Sequence, residues 1–186
     1  MFVRFYDPLR KILVMKIGLF YGSTTCYTEI VAEKIQAIIG ADLVDIFNIK
    51  DESLALCLNY DFIIFGISTW DFGEIQEDWE SIWDDIKLLD FSNKIVALYG
   101  LGDQVGYTEW FQDALGLLNE QVLAKQATVV GHWPTQGYEF KASKALTSDN
   151  KHFVGLSLDE DTQYNLTDQR LEQWCEQILL EYASEI

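Results

Sequence analysis

Basic side chains are scarce in this chain. Thirteen lysines and arginines face 30 aspartates and glutamates over 186 residues, a formal charge of −17. So negative a surface repels nucleic acid and anionic lipid and attracts basic protein faces, which argues against a nucleic-acid role and for charged protein partners. Cysteine is nearly as sparse. Cys26, Cys57 and Cys175 are odd in number, far apart and without zinc-site spacing, which fits a reducing compartment rather than a disulfide framework. Long apolar runs are missing too. No stretch reaches the roughly 18 apolar residues that a membrane-spanning helix needs. Ile12-Leu13-Val14 is too short for a signal-peptide core, and no small-residue cleavage site follows it. A cytoplasmic protein without membrane association is expected. The structured domain is expected to begin at Met15, with residues 1–14 either a leading arm or an upstream start.

What the chain does have is enough apolar content, 49%, to close one sizeable core, so a single domain over residues 15–186 is expected. Short solid apolar runs at residues 16–21, 43–47, 62–67, 95–99, 128–133 and 153–158 have the character of strands buried on both faces. Between them lie helical stripes. Ile30, Val31, Ile35, Ile38 and Ile39 form one; Ile75, Trp79, Ile82, Trp83 and Ile86 form the next. Phe111, Ala114, Leu115, Leu118 and Val122 make a third, and Leu171, Trp174, Cys175, Ile178, Leu179 and Tyr182 a fourth, with Thr167 as its predicted N-cap and Leu166 and Leu171 as a hydrophobic staple. Strands alternating with helices imply an open, doubly wound parallel sheet covered on both faces. Ligands of such sheets bind at the carboxyl ends of the strands. Residues 134–152 break the pattern as a long polar segment without period, which marks a functional loop or an insertion.

After the first strand comes Gly22-Ser23-Thr24-Thr25-Cys26-Tyr27-Thr28, and then a helix begins. Ser23, Thr24, Thr25 and Thr28 bring hydroxyls to a helix N-terminus, where free N–H groups and the dipole favour an anion. Ordinary N-capping explains any one of them; their density favours a phosphate cradle without a lysine. The Gly-Lys-Ser/Thr of a Walker loop is absent. Cys26 sits in the same positive field, where a thiol gains reactivity, yet no arginine follows before Gly40 to hold a phosphate as in a tyrosine phosphatase. The acidic pair of a receiver domain is also missing, its place taken by Gly22-Ser23.

Two further loops follow strands: Ser68-Thr69-Trp70-Asp71-Phe72-Gly73-Glu74, and Gly100-Leu101-Gly102-Asp103-Gln104-Val105-Gly106-Tyr107. Each puts a large aromatic at the edge that carries the cradle, so Trp70 and Tyr107 are candidates to clamp a planar ligand; core anchoring is the alternative for each. The glycines at 100, 102 and 106 do not make a dinucleotide fingerprint, whose third glycine would fall at Val105 and whose place is after the first strand. They are expected instead to let backbone approach a ring edge and to supply unusual φ angles.

These three loops, in this order, together with Ile75-Gln76-Glu77-Asp78-Trp79, resemble the phosphate and flavin loops of the long-chain flavodoxins, and most of all those of the bacterial flavodoxin 2 type. The resemblance runs from Met15 to about Tyr182. It implies a flavodoxin-like α/β fold with a five-stranded parallel sheet in the order 2-1-3-4-5, the fifth strand split by an insertion of about 20 residues. It further implies that flavin mononucleotide (FMN) is bound: its phosphate by Ser23, Thr24, Thr25, Cys26, Tyr27 and Thr28, its ring faces by Trp70 and Tyr107, its N5 by the Asp71–Phe72 peptide beside Gly73, and its pyrimidine edge by Gly100, Gly102 and Asp103, with Ser68, Thr69 and Leu101 in the same loops. Many family members have glycine at Cys26, threonine at Leu101 and asparagine at Trp110.

The implied function is that of a monomeric, low-potential one-electron carrier, because an anionic reduced flavin between π faces in an acidic protein is disfavoured. No residue need act as acid, base or nucleophile. Expected partners are an NADPH-dependent flavodoxin reductase and acceptor enzymes with basic faces, met through Glu74, Glu77, Asp78, Asp103 and Glu109. An FMN-dependent NAD(P)H or quinone oxidoreductase of the same fold is the alternative.

Overall fold

A computed structural model describes residues 16–185; the expected leading arm, residues 1–14, and the expected domain start at Met15 lie outside them. The chain alternates as anticipated: β1 (Ile17–Tyr21), α1 (Tyr27–Ile39), β2 (Val44–Asn48), β3 (Phe62–Trp70), β4 (Glu74–Ile75), α2 (Glu77–Ser81), α3 (Trp83–Ile86), β5 (Ile95–Leu101), α4 (Asp113–Ala124), β6 (Thr128–Val130), β7 (Trp133–Pro134), β8 (His152–Phe153), β9 (Leu156–Leu158) and α5 (Thr167–Glu185). The sheet runs β2-β1-β3-β5-β6, with parallel pairing throughout that path.

The fifth position of the sheet is shared. Ile95 to Ala97 of β5 pair with β6, and Tyr99 to Leu101 pair with β9. This is the split fifth strand, and residues 131–155 form the interruption. Gly131, at φ 81°, ends β6: its N–H donates to Glu181 and its carbonyl accepts from the Trp174 indole. At the far side, a Cβ on Gly155 would lie 2.2 Å from the Leu98 carbonyl oxygen, so only glycine lets the chain re-enter beside β5.

Strand alternation sends residues to two cores. Ile17, Leu19, Phe62, Ile64, Ala97 and Tyr99 meet α1 and α5 on one face. Phe20, Ile63, Phe65, Val96 and Leu98 meet Trp79, Ile86 and the apolar stripe of α4 on the other. Every residue of β1 and β5 is buried, which is why those runs lack the polar alternation of a half-exposed strand.

Three expectations are corrected. The stripe from Ile75 to Ile86 is not one helix. Ile75 pairs with Thr69 in β4, and Ile82, at φ −113° and ψ 10°, separates α2 from α3. The Trp79 indole is fixed on the Gly66 carbonyl at 2.8 Å, so burying both Trp79 and Ile86 against the sheet overrides helical continuity. Thr167 is not an N-cap: it has helical dihedrals, follows a short 3-10 turn (Tyr164–Leu166), and its hydroxyl donates to Glu160. Residues 134–152 are not without structure, since β7 and β8 pair and Leu146 bridges Phe153. Tyr138 and Phe140 anchor this insertion against Phe111 and Phe153, with ring centroids 5.2–5.8 Å apart.

The insertion is also held on α4, whose first turn meets the end of β3 through Ala114 N–H, which donates to the Thr69 hydroxyl at 3.1 Å. Asp113, almost fully buried, accepts from the Lys144 N–H at 2.8 Å and pairs with the Lys144 ammonium at 2.9 Å. Gly116, one turn on, would place a Cβ 2.4 Å from the Lys144 carbonyl. Helix propensity alone makes Gly116→Ala stabilising by about 1 kcal/mol. We expect the opposite, a loss of about 1–3 kcal/mol from forcing the insertion off α4, measured by urea unfolding; a stabilised variant would contradict the contact.

Candidate functional site

Because the sheet is parallel, the loops after β1, β3, β5 and β9 emerge at one edge. There they enclose a cleft of about 310 Å³ lined by Thr25, Tyr27, Thr28, Ser68, Thr69, Trp70, Asp71, Leu101, Gly102, Asp103, Tyr107, Glu160 and Asp161. No lysine or arginine among the described residues lines it.

One end of the cleft is the start of α1. The chain enters the helix through Cys26, at φ 66°, whose side chain caps nothing. Ile30 is the first residue of this segment whose N–H bonds back along the chain, to the Cys26 carbonyl at 2.9 Å. The N–H groups of residues 24–29 therefore have no acceptor among the described residues. Thr28 is buried, and its carbonyl accepts from the Tyr99 hydroxyl at 2.9 Å, tying the loop to the middle of the sheet. The Ser23 hydroxyl is buried with no partner. Orphaned donors at a helix start form an anion site by themselves, without a cation.

Trp70 and Tyr107 stand on the loops after β3 and β5. The Trp70 indole donates to the Ser68 hydroxyl at 3.0 Å; the Tyr107 hydroxyl reaches Asp71 at 3.5 Å and its ring meets Phe72 edge-on at 6.3 Å. Between them the chain turns sharply, Gly73 N–H to Trp70 carbonyl at 3.0 Å, with Asp71 at φ 40° and Gly73 at φ 92°. Asp71 therefore holds a conformation that carries a cost for a residue with a Cβ.

The loop after β5 is organised from within. Asp103 accepts from the N–H groups of Val105 and Gly106 at 2.8 and 2.7 Å. Buried Gln104 donates to the wholly buried Asp159 at 2.8 Å and accepts from Glu139 N–H at 2.6 Å. Asp159 also takes the N–H groups of Asp161 and Thr162 and the Thr162 hydroxyl. This one carboxylate thus locks the loops after β5 and β9 together.

The known proteins that this chain resembles fit the geometry. The family model "Flavodoxin" matches residues 19–174. Flavodoxin 2 of Escherichia coli strain K12 is 59% identical over 169 residues, covering 91% of this chain and 98% of its own length. The chain belongs to the flavodoxin family. A flavodoxin of Haemophilus influenzae is 47% identical, over 87% of this chain and 92% of its own. Among solved structures, a Fusobacterium nucleatum flavodoxin bound to flavin mononucleotide superposes with a TM-score of 0.84 at 31% identity, covering 89% of this chain and 98% of that one.

Within this flavodoxin the anticipated residues divide. Eleven of them line the cleft, from Thr25 to Tyr107. Ser23, Thr24 and Cys26 stand beside it on the α1 loop. Phe72 leans outward onto Trp110 at 5.1 Å, Gly73 is buried against Asp113, and Gly100 faces Gln112 inside the sheet. The loop glycines also act differently than expected: Gly100, Gly102 and Gly106 are not at positive φ. Space is what Gly100 and Gly106 provide, since a Cβ would lie 2.1 Å from the Gln112 amide oxygen or 2.2 Å from the Asp103 carboxylate. Glu160 and Asp161 line the cleft but were not anticipated; they follow the last strand at its carboxyl end, where the parallel-sheet rule points.

The acidic lining has a cost. Asp161 has its carboxyl raised above the usual range, first by partial burial, then by the charges of Asp103 and Asp159. A carboxyl raised in the folded chain opposes folding once it ionises, and that penalty vanishes below the unfolded value of about 3.9. Asp161→Asn is therefore expected to raise the melting temperature at pH 7, with the gain shrinking to nothing as pH falls below about 4. A gain independent of pH would contradict this origin.

Proposed function

We propose that this flavodoxin binds one FMN non-covalently and carries single electrons between larger proteins. The observation that carries the proposal is the joining of unpaired N–H groups of residues 24–29 to a cleft walled by two aromatic rings. The buried, partnerless Ser23 hydroxyl fits the same cofactor, since it lies in the segment where a phosphate would accept.

In this proposal Ser23, Thr24, Thr25, Cys26, Tyr27 and Thr28 hold the phosphate, mainly through backbone N–H groups. Trp70 and Tyr107 cover the two ring faces and exclude water. The Asp71–Phe72 peptide, in its tight turn ending at Gly73, meets the N5 edge and offers a carbonyl to a proton there. Gly102 and Asp103 border the pyrimidine edge; Gly100 and Leu101 set the path of the strand behind them, and Ser68 and Thr69 the floor. FMN, when bound, supplies the one-electron chemistry. Asp71, Asp103, Glu160 and Asp161 disfavour any further negative charge in the cleft, which makes the lower potential strongly reducing. Tyr107 over the outer face leaves no berth for a nicotinamide or quinone, so no turnover of a substrate is assigned.

Flavodoxins deliver electrons to partner proteins, and we assign as partners an NADPH-dependent flavodoxin reductase and acceptors with basic docking faces, met by this chain as a monomer. No helix among the described residues is long and apolar enough to cross a membrane, and we place the carrier in the cytoplasm, as one domain running from residue 15.

Spectroelectrochemistry with titration tests the ring clamp. Trp70→Ala and Tyr107→Ala should each weaken FMN binding by roughly 2- to 10-fold and move the lower one-electron potential upward. Both variants unchanged in affinity and potential would refute the clamp. For the partners, stopped-flow reduction by a flavodoxin reductase should slow by at least about tenfold between about 50 and 500 mM salt. A flat second-order rate would leave the acidic surface with solubility alone.

A further inference from the structure

Other donors of the loop before α1 are already engaged. Two carboxylates from the first turn of α2 already reach this loop: Ser23 N–H donates to Asp78 at 3.2 Å, and the Thr24 hydroxyl donates to Glu77 at 3.1 Å. Gln76, buried at the N-cap of α2, fixes the arrangement. Its amide nitrogen donates to the Thr24 hydroxyl at 2.9 Å and to Asp78 at 2.8 Å, while its amide oxygen accepts from Trp79 N–H. Trp79 is in turn anchored on the Gly66 carbonyl. Asp78 is thus tied to the sheet through Gln76 and Trp79, and Glu77 joins the same group through the Thr24 hydroxyl. Neither carboxylate has an ion pair among the described residues, where the pairs are Lys16 with Asp45, Lys34 with Asp168, Lys87 with Asp84, Lys94 with Asp61, Lys141 with Glu109 and Lys144 with Asp113.

We infer that Glu77 and Asp78 are internal stand-ins for the phosphate: they engage donors of the cradle and oppose the charge of an arriving phosphate. The inference rests on the assignment of residues 23–28 as the phosphate cradle. An incoming phosphate that accepts from Ser23 and Thr24 either displaces the two carboxylates or settles beside them. In both cases their charge acts against it, through a distance of a few ångströms at which partly exposed charges still interact appreciably. Glu77 and Asp78 are therefore specificity-determining residues for the phosphate end of the cofactor, and they limit affinity rather than promote it.

Amide replacements separate charge from shape, because Gln and Asn keep an oxygen to accept from Thr24 and Ser23. The test compares wild type, Glu77→Gln, Asp78→Asn, the double variant and Glu120→Gln, an exposed carboxylate removed near the carboxyl end of α4 as a control for net charge. FMN and riboflavin are titrated into each cofactor-free protein by flavin fluorescence. We expect FMN affinity to rise about 2- to 5-fold for each single variant and about 10-fold for the double, with riboflavin affinity and the Glu120→Gln control unchanged. Inorganic phosphate should raise the melting temperature of the cofactor-free double variant more than that of wild type, a readout that needs no flavin. Weaker or unchanged FMN binding in the double variant, or an equal gain for riboflavin, overturns the stand-in role. Wild-type protein that binds riboflavin as tightly as FMN overturns the cradle assignment itself, a separate result.

Discussion

The N–H groups of residues 24–29 have no acceptor among the described residues, and the site is built around that deficit. Unpaired backbone donors are costly to bury and favourable beside an anion, so a helix that begins in this way is a binding site before any side chain is considered. Cys26 makes the entry possible by adopting φ 66°, a conformation that a residue with a Cβ holds at a cost. Thr28 and Tyr99 tie the loop to the sheet, and the aromatic walls and acidic rim follow at the same edge because every contributing strand points the same way. Recognition of an anion by N–H groups needs no lysine, and no lysine or arginine among the described residues lines the cleft.

The second structural requirement is that loops far apart in sequence meet at one edge of the sheet. That is the work of buried polar groups more than of apolar packing. Gln112, at φ 64° and fully buried, donates to the carbonyls of Gly100 and Leu158 and so clasps β5 and β9. Gln104 and Asp159 join the next loops outward. A buried carboxylate without a cation is tolerable only when its oxygens are saturated with donors, and Asp159 accepts from Gln104, Asp161 and Thr162. The insertion contributes from behind, through Glu139 onto Gln104 and Lys144 onto Asp113. Cys57 and Cys175 take no part: burial pushes both thiols up to about 12.

Much of this was legible in the residues. The strands, the helix stripes and the three loops follow from runs such as residues 62–67 and from hydroxyls or glycines after them, because local pattern and tertiary role agree there. Legibility fails where tertiary contacts override local pattern. Trp79 and Ile86 fall at helical spacing, yet the indole's bond to Gly66 and the β4 pairing divide the segment. Thr167 has the look of a cap, but Glu160 takes its hydroxyl. Gly100 and Gly106 suggested unusual φ angles when what they yield is room for Gln112 and Asp103. Glu160 and Asp161 carry no local signature at all; only the position of β9 beside β5 brings them to the cleft, and that pairing spans an insertion whose own strands are two residues long.

In the proposed carrier a phosphate is held by the backbone N–H groups at the start of α1, without a cation. Proton–nitrogen correlation spectra of the cofactor-free chain, recorded while FMN or riboflavin is added, test it most directly. The amides of residues 24–29 should move downfield and become protected from exchange with FMN but not with riboflavin, while both ligands perturb Trp70 and Tyr107. FMN-induced shifts confined to the aromatic loops, with the amides of residues 24–29 unmoved, would contradict it.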